Sequence, residues 1–267
     1  MSAVSRMGVL LVAAAAAVGC AASAPAAGGE RIVDLTHTFD ETAIFWPTEE
    51  GFVLERGPAG VTAGGYWYEA HRFRSAEHGG THVDAPIHFH AGHFTVDQIP
   101  LERLIGEAVT VDVSAECARD RDHRVSVADF AEFEARHGRI PDGAIVLLRT
   151  GFGSHWPDRF RYLGTARRGP DAVAELHFPG LHPDAADWLV AERRIRAVGL
   201  DTASIDHGPS ADFLAHRRLF AANVPAFENL AGLDQLPPTG FRVIALPMKI
   251  GGGSGAPLRA VAILPGH

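Results

Sequence analysis

The strongest constraint on the fold comes from segment 77–89, whose sequence is EHGGTHVDAPIHF. Its two adjacent glycines, Gly79 and Gly80, are poor helix formers. Pro86 disfavours the α conformation at the residue before it, Ala85. This segment is therefore predicted to be a turn that leads into an extended strand. The rest of the fold must accommodate that strand.

The same segment is rich in side chains that bind divalent metals. His78, His82, Asp84 and His88 lie close together in the sequence, and imidazole and carboxylate groups are ligands for borderline divalent cations. In an extended strand His82 and Asp84 point to the same side, and a turn can bring His78 round to meet them. A histidine-rich surface loop without a metal is an equally good explanation of this crowding alone.

A second segment, far downstream, favours the metal site. Segment 216–230 reads HRRLFAANVPAFENL and contains His216 and Glu228. Together the two segments resemble the cyclase family of metal-dependent hydrolases, which includes bacterial kynurenine formamidases and isatin hydrolases. The family signature is HxGTHxDxPxH, followed late in the chain by a His and a Glu at this spacing, and both parts occur here without a gap. Two separated motifs at the expected spacing are far rarer by chance than either alone.

The resemblance implies a set of metal ligands. His78, His82 and Asp84 would hold one divalent ion, and Asp84 would bridge to a second ion held by His216 and Glu228. Two ions per chain, zinc or manganese, are the implied cofactors. With a single ion, His216 and Glu228 would instead act as base and positioning group.

The implied reaction is hydrolysis of a non-peptide C–N bond. Metal-activated hydroxide would attack the carbonyl of an aryl formamide or a cyclic amide, such as N-formylkynurenine or isatin. His88 and Glu228 are the predicted catalytic residues. His88 would carry a proton to the leaving nitrogen, because histidine titrates in the range needed; its alternatives are a further ligand or a structural histidine. The alternative functions are an exported metal-binding or storage protein without turnover, and a cyclase acting on polyketide-like substrates.

Two aromatic residues upstream of the motif are predicted to bind substrate. In the family a Trp-Pro pair often lies on a loop that lines the pocket, and Trp46-Pro47 resembles it. Trp46 and the preceding Phe45 are therefore assigned to the pocket, where Trp46 could stack on an aromatic substrate. The alternative is that Trp46 is an ordinary packed aromatic residue.

Five further residues are candidates for supporting roles. We expect His37 to be a structural hydrogen-bonding residue. His90 and His93 are expected to be exposed or to lie just outside the ligand set. Asp201 and Asp206 could orient a ligand histidine, or could simply cap a helix or a turn.

Composition and element pattern define the expected fold class. The chain has 267 residues, 46% of them hydrophobic and 21% charged, which suits a single hydrolase domain over residues 27–267. The formal charge of −8 argues against nucleic acid as a partner. Short helices alternate with many strands, which indicates a mixed α+β or α/β protein. The resemblance covers about residues 31–264 and implies the swivelling β/β/α fold and a homo-oligomer, a dimer or tetramer, acting on a small-molecule amide.

Residues 1–26 have the pattern of a secretory or lipoprotein signal followed by a linker. A single charge, Arg6, precedes an apolar, alanine-rich stretch and then small residues. Either Cys20 is lipidated as an anchor or the signal is cleaved after residue 26, so the protein is predicted to be periplasmic or lipid-anchored in the cell envelope. In both cases Cys117 has no partner for a disulfide and is expected to be packed.

The remaining pattern predicts secondary structure along the chain. Strands are predicted over residues 31–37, 64–74, 107–113, 144–149, 195–200, 241–247 and 258–264, and helices over 96–105, 126–138, from 183 onwards and 211–221. Segment 157–168 has no clear period and is expected to be an exposed excursion. Residues 251–255 are expected to form a flexible hairpin connection at the pocket rim.

Overall fold

The computed structural model of the protein describes residues 29–266. The predicted signal, its cleavage site and Cys20 lie outside these residues, so they stay predictions. Among residues 29–266, no helix combines the length and the apolar character needed to cross a membrane.

Six strands come first in the described chain, and helices and strands follow in mixed order. Its helices are α1 (Leu101–Leu104), α2 (Ser114–Arg119), α3 (Val127–His137), α4 (Arg159–Leu163), α5 (Pro183–Arg193) and α6 (Leu214–Ala221). Its strands are β1 (Arg31–Asp34), β2 (Val53–Glu55), β3 (Ala59–Val61), β4 (Trp67–Glu69), β5 (Arg72–Arg74), β6 (His82–Asp84), β7 (Ile105–Asp112), β8 (Arg124–Val125), β9 (Ile145–Arg149), β10 (Gly180–Leu181), β11 (Ala197–Leu200), β12 (Ala226–Glu228), β13 (Phe241–Pro247) and β14 (Gly255–Leu264).

The main sheet is mixed and closes on itself. Its strand order is β1-β14-β13-β7-β9-β11-β12-β6, and β6 also pairs with β14, so seven strands form a barrel with β1 attached at the side. The pairs β7–β9, β9–β11 and β11–β12 are parallel, and the other pairs of this sheet are antiparallel. The mixed α/β fold class is confirmed, and the architecture is the swivelling β/β/α fold.

Strand β9 shows why this sheet is buried on both faces. Its sequence IVLLR is a continuous apolar run, which is typical of a central parallel strand. Val146 and Leu148 pack in one core with α3, α5 and α6. Their neighbours Ile145 and Leu147 pack in a second core with residues from strands around the barrel. The alternation therefore places β9 between the helical layer and the barrel interior.

Most predicted elements are present with small shifts at their ends, but two are divided. The predicted strand 64–74 forms β4 and β5, and the predicted helix 96–105 forms a 3₁₀ turn, Val96–Gln98, and α1. Helix α3 has the predicted capping box from Ser126 and ends at Gly138. Helix α6 begins three residues later than predicted. Phe213 has a positive φ of 50°, so the helix cannot extend to the residues before it. Segment 157–168 was wrongly predicted to be an exposed excursion. It contains α4, in which Tyr162 and Leu163 are buried.

Residues 53–74 form a two-stranded ribbon that carries many exposed apolar side chains. Strand β2 pairs with β5, and β3 pairs with β4. Isolated two-stranded ribbons are marginally stable in water, and exposed apolar patches often mark interfaces. The predicted homo-oligomer stays a prediction, but this ribbon is a surface that it could cover. Its exposed apolar residues are Leu54, Val61, Tyr66, Trp67, Tyr68 and Phe73.

The thiol of Cys117 is buried on α2, as the sequence predicted. Burial raises the pKa of this thiol far above its ordinary value, so little thiolate forms at neutral pH. We expect no reaction of Cys117 with a thiol reagent in the folded protein. Thiol counts for the wild type and Cys117→Ser should therefore agree before unfolding and differ by about one per chain afterwards. A difference in the native state would contradict this burial.

Candidate metal centre

The metal motif turns where its two glycines lie. Gly79 and Gly80 have φ values of 152° and 57°. A Cβ at Gly79 would lie 2.0 Å from the Phe45 ring, and one at Gly80 would lie 2.5 Å from the Phe39 ring. Any residue with a Cβ would clash with these rings, so glycine is required at both positions. The predicted turn into an extended strand is confirmed, since His82–Asp84 form β6.

The first group of donor atoms comes from the motif itself. His78 Nδ1 lies 2.7 Å from Asp84 Oδ1, and His82 Nε2 lies 3.1 Å from the same oxygen. His82 and Asp84 are buried, and His78 is half-buried at the edge of the group. These three residues can each offer one donor atom to a common ion.

The second group of donor atoms combines Asp84 with the downstream segment. His216 Nε2 lies 3.2 Å from Asp84 Oδ2 and 3.1 Å from Glu228 Oε1. The register of β12 against β6 places Glu228 directly opposite His82. Asp84 thus belongs to both groups, with one oxygen directed to each. This geometry fits the predicted bridging ligand, and the two-ion arrangement itself stays a prediction.

The chemistry of this donor set fits a divalent cation. Asp84 and Glu228 are two buried carboxylates, and their ion-pair partners within residues 29–266 are histidines, not Lys or Arg. Buried charge is costly unless it is compensated. A divalent cation held by imidazole nitrogens and carboxylate oxygens would supply that compensation.

The pKa values of the two carboxylates are shifted in opposite directions. Burial, and next the charge of Asp84, raise the pKa of Glu228 above its ordinary value. Burial acts to raise the pKa of Asp84 too, but the charge of His78 and the hydrogen bonds from the three neighbouring histidines hold it well below the usual range. Asp84 therefore favours its charged form more strongly than Glu228 does.

The histidines in turn respond to the carboxylates. Burial acts to lower the pKa of His216, yet its hydrogen bonds to Asp206, Asp84 and Glu228 raise that pKa well above the ordinary value. Burial and Asp84 compete in the same way at His82, whose pKa is also raised. Metal binding needs neutral imidazoles, so a raised pKa means that protons and a cation compete for both rings.

One of the two predicted orienting aspartates contacts a ligand histidine. Asp206 Oδ2 accepts a hydrogen bond from His216 Nδ1 at 2.6 Å, which leaves Nε2 of His216 facing the centre. Asp201 does not perform this role. Its carboxylate accepts hydrogen bonds from the backbone of Thr150, Gly151 and Gly153 and so holds the turn after β9.

Sequence reasoning missed a buried network that supports His82. His82 Nδ1 donates to the carbonyl oxygen of Gly80 at 3.0 Å, and Asn229 Nδ2 donates to the same oxygen at 2.7 Å. The hydroxyl of Tyr162 donates to Asn229 Oδ1 at 2.8 Å. This network fixes the ring of His82 so that Nε2 faces the centre. The position of Asn229 directly after Glu228 was the one available signal for it.

His88 lies beside the donor groups and belongs to neither of them. Its ring stacks on that of His78 with a centroid distance of 3.8 Å, and it faces the cavity above the donors. Burial lowers the pKa of His88 to about 4. His88 is therefore neutral at pH 7, and burial makes it a weaker base than an ordinary histidine. Its position beside the donors fits the predicted proton carrier, and that role stays a prediction.

A cavity of about 510 Å³ opens directly over the donor atoms. Phe45 and Trp46 line it, as predicted, although Phe45 is fully buried and packs against Gly79. Trp46 is half-buried and is the more available of the two. Two aromatic residues that the sequence did not single out, Phe89 and Phe213, complete this wall at a centroid distance of 5.1 Å from each other.

The remaining candidate histidines lie outside the donor groups. His37 stacks on Trp156 at 4.2 Å, and its backbone nitrogen donates to Thr81, so its position is structural. His90 and His93 stack on each other at 3.8 Å. His93 Nε2 also contacts the carbonyl oxygen of Ala221.

The closed mixed sheet and the two overlapping donor groups at its seam define a metal-dependent hydrolase. Residues 33–207, more than half of the chain, match the family described as "Putative cyclase". The chain belongs to this cyclase family of metal-dependent hydrolases.

Individual relatives and solved structures agree with this assignment. The isatin hydrolase of Roseibium aggregatum is 35% identical over 198 residues, which cover 71% of this chain and 72% of that protein. The kynurenine formamidase of Salinibacter ruber is 33% identical over 188 residues, covering 70% and 76%. The structure of isatin hydrolase A from Labrenzia aggregata bound to benzyl benzoate superposes with a TM-score of 0.78 at 36% identity, covering 88% of this chain and 94% of that one.

Proposed function

We propose that this protein is a metal-dependent amidohydrolase that opens a cyclic aryl amide of the isatin type. The observation that carries this proposal is the position of the His/Asp/Glu donor groups directly beneath an aromatic-walled cavity. The isatin hydrolases among its relatives support the choice of substrate class. Zinc or manganese is the proposed ion, because the donors are imidazole nitrogens and carboxylate oxygens.

Different residues hold the ion, position the substrate and transfer the proton. A divalent cation held by these donors would polarise the amide carbonyl and lower the pKa of a water molecule. Trp46 and Phe213 present apolar faces that can take the aryl ring of the substrate. His88 accepts a proton from the attacking water and delivers it to the leaving nitrogen, which stays attached to the ring of the opened product.

An aryl formamide such as N-formylkynurenine is the second candidate substrate. The similarity to a kynurenine formamidase favours it, and the same donors and the same proton carrier serve both reactions. The proposed export of the protein weighs against the formamide, because the substrate and the downstream enzymes of cytosolic tryptophan breakdown would lie in another compartment. We propose localisation in the periplasm or on a lipid anchor on the basis of the sequence of residues 1–26.

The test combines metal content with turnover. We expect purified protein to contain up to two ions per chain by elemental analysis, and to hydrolyse isatin faster than N-formylkynurenine. A chelator should abolish turnover, and zinc or manganese should restore it. Faster turnover of the formamide would reassign the substrate, and bound metal without turnover of either compound would support a metal-storage protein. A protein without metal affinity would contradict the proposal.

A further inference from the structure

The glycine-rich loop between β13 and β14 is tied to the metal motif by one carboxylate. Ser254 donates to Glu77 Oε2 from its backbone nitrogen at 2.9 Å and from its hydroxyl at 2.7 Å. The backbone nitrogen of Gly255 donates to the same oxygen at 3.3 Å. The loop lies at the rim of the cavity, as the sequence predicted. Its hydrogen bonds to Glu77 hold it in place, so it is less flexible than predicted.

The hydroxyl of Ser254 also contacts a metal-ligand histidine. Its Oγ lies 2.9 Å from His78 Nε2. A hydroxyl has one proton to donate, and here that proton goes to Glu77. Ser254 Oγ must then accept a hydrogen bond from His78 Nε2, which places a hydrogen of this imidazole on Nε2. The other ring nitrogen, Nδ1, lies 2.7 Å from Asp84 Oδ1 and is the one that would bind a divalent ion shared with this carboxylate.

We propose that Glu77 and Ser254 are positioning residues that lock His78 in the tautomer and orientation required for metal binding. The inference rests on the metal centre of the proposed function and adds to it a carboxylate–hydroxyl–imidazole relay. Through this relay the loop between β13 and β14 and the ion stabilise each other.

His78 is the ligand that most needs such a relay. Its side chain is 22% exposed, against 3% for His82 and 3% for His216. The other two histidines are held by buried partners, the carbonyl oxygen of Gly80 and the carboxylate of Asp206. Without a partner on Nε2, the half-buried ring of His78 would sample both tautomers and several rotamers.

The packing of the loop shows that this approach is specific. A Cβ at Gly255 would lie 2.5 Å from the His78 ring, and one at Gly253 would lie 3.0 Å from Glu77 Oε1. Glycine at these two positions lets the backbone come close enough for Ser254 to bridge the two side chains. Both the hydrogen bonds and the close packing therefore place Ser254 between Glu77 and His78.

The experiment measures metal affinity directly, using Co²⁺ and Zn²⁺ with the full-length protein and its variants. We expect Ser254→Ala and Glu77→Gln each to raise the metal Kd about 10–100-fold, as loss of an outer-sphere partner does. The visible absorption of bound Co²⁺ should also change. Because both side chains serve one relay, the double variant should be little weaker than either single variant. Ser254→Thr, which keeps the hydroxyl, should restore most of the affinity.

Asp97→Asn is the matched control. Asp97 Oδ1 accepts a hydrogen bond from the backbone nitrogen of Gly252 at 2.9 Å, so it tethers the same loop without touching His78. This variant should bind metal with wild-type affinity.

Two results would overturn the relay. Unchanged metal Kd values and an unchanged Co²⁺ spectrum in Ser254→Ala and Glu77→Gln would show that His78 is oriented without it. An equal loss in Asp97→Asn would show that general tethering of the loop matters, not the relay. A wild-type protein that binds neither ion would instead remove the metal centre and with it the proposed function, so the two failures are distinguishable.

Discussion

Replacement of Asp84 by Ala is expected to empty the metal centre. Asp84 contributes an oxygen to each donor group, so its loss would remove a ligand from both of the proposed ions at once. Outer-sphere partners alone change metal affinity about 10–100-fold, and we expect the loss of a bridging ligand to exceed ~100-fold. Elemental analysis after gel filtration should find less than one ion per chain, and turnover should fall to background.

Two further variants separate loss of the ligand from loss of the fold. Asp84→Asn keeps the size of the side chain and removes its charge, and it should lose metal in the same way. Asp184→Ala changes an exposed aspartate in the first turn of α5 and should keep both metal and turnover. Circular dichroism of all three variants checks the fold. Retention of two ions by Asp84→Ala would exclude a bridging role for this residue.

His88→Ala is expected to keep its metal and to lose turnover. The ring lies beside the donors, stacked on His78, but is in neither donor group. General acid–base catalysis contributes about 10²–10⁴-fold to rates, so kcat should fall by about 100-fold or more. The metal content should match that of the wild type.

The neighbouring His93 supplies a control for this variant. It is also a half-buried histidine, but its ring contacts His90 and the backbone of Ala221. His93→Ala should therefore change kcat by less than about twofold, since it removes no group that takes part in proton transfer. Unchanged turnover in His88→Ala would refute the proton-carrier assignment, and lost metal would make His88 a ligand.

Local sequence patterns were enough to predict the turn and strand of the metal motif. Glycine and proline act on their immediate neighbours, so the exclusion of a helix around Gly79 and Pro86 needed no tertiary information. The fold itself and the pairing of the motif with His216 and Glu228 came from the family resemblance. Physical reasoning on the sequence could not place Glu228 opposite His82, because that register depends on strands more than a hundred residues apart.

Two supporting residues were missed for different physical reasons. Tyr162 lies on a helix of five residues, Arg159–Leu163, which is too short to show an amphipathic period, and charged residues precede it. Ser254 lies among glycines that indicate only a turn. Its role arises from the β13–β14 hairpin, which carries the loop to His78 across the closed sheet.

The closure of the sheet also sets when the protein can acquire its ion. Strand β6 pairs with β12 on one side and with β14 on the other, so three of the predicted ligands, His82, Asp84 and Glu228, lie on a seam built from residues 82–84, 226–228 and 255–257. These three pieces can meet only after residue 257 has been synthesised. We therefore expect an ion that is held by both donor groups to bind late in folding. If the chain is exported unfolded, the ion that it receives is selected by the compartment in which it folds and not by the one in which it is made.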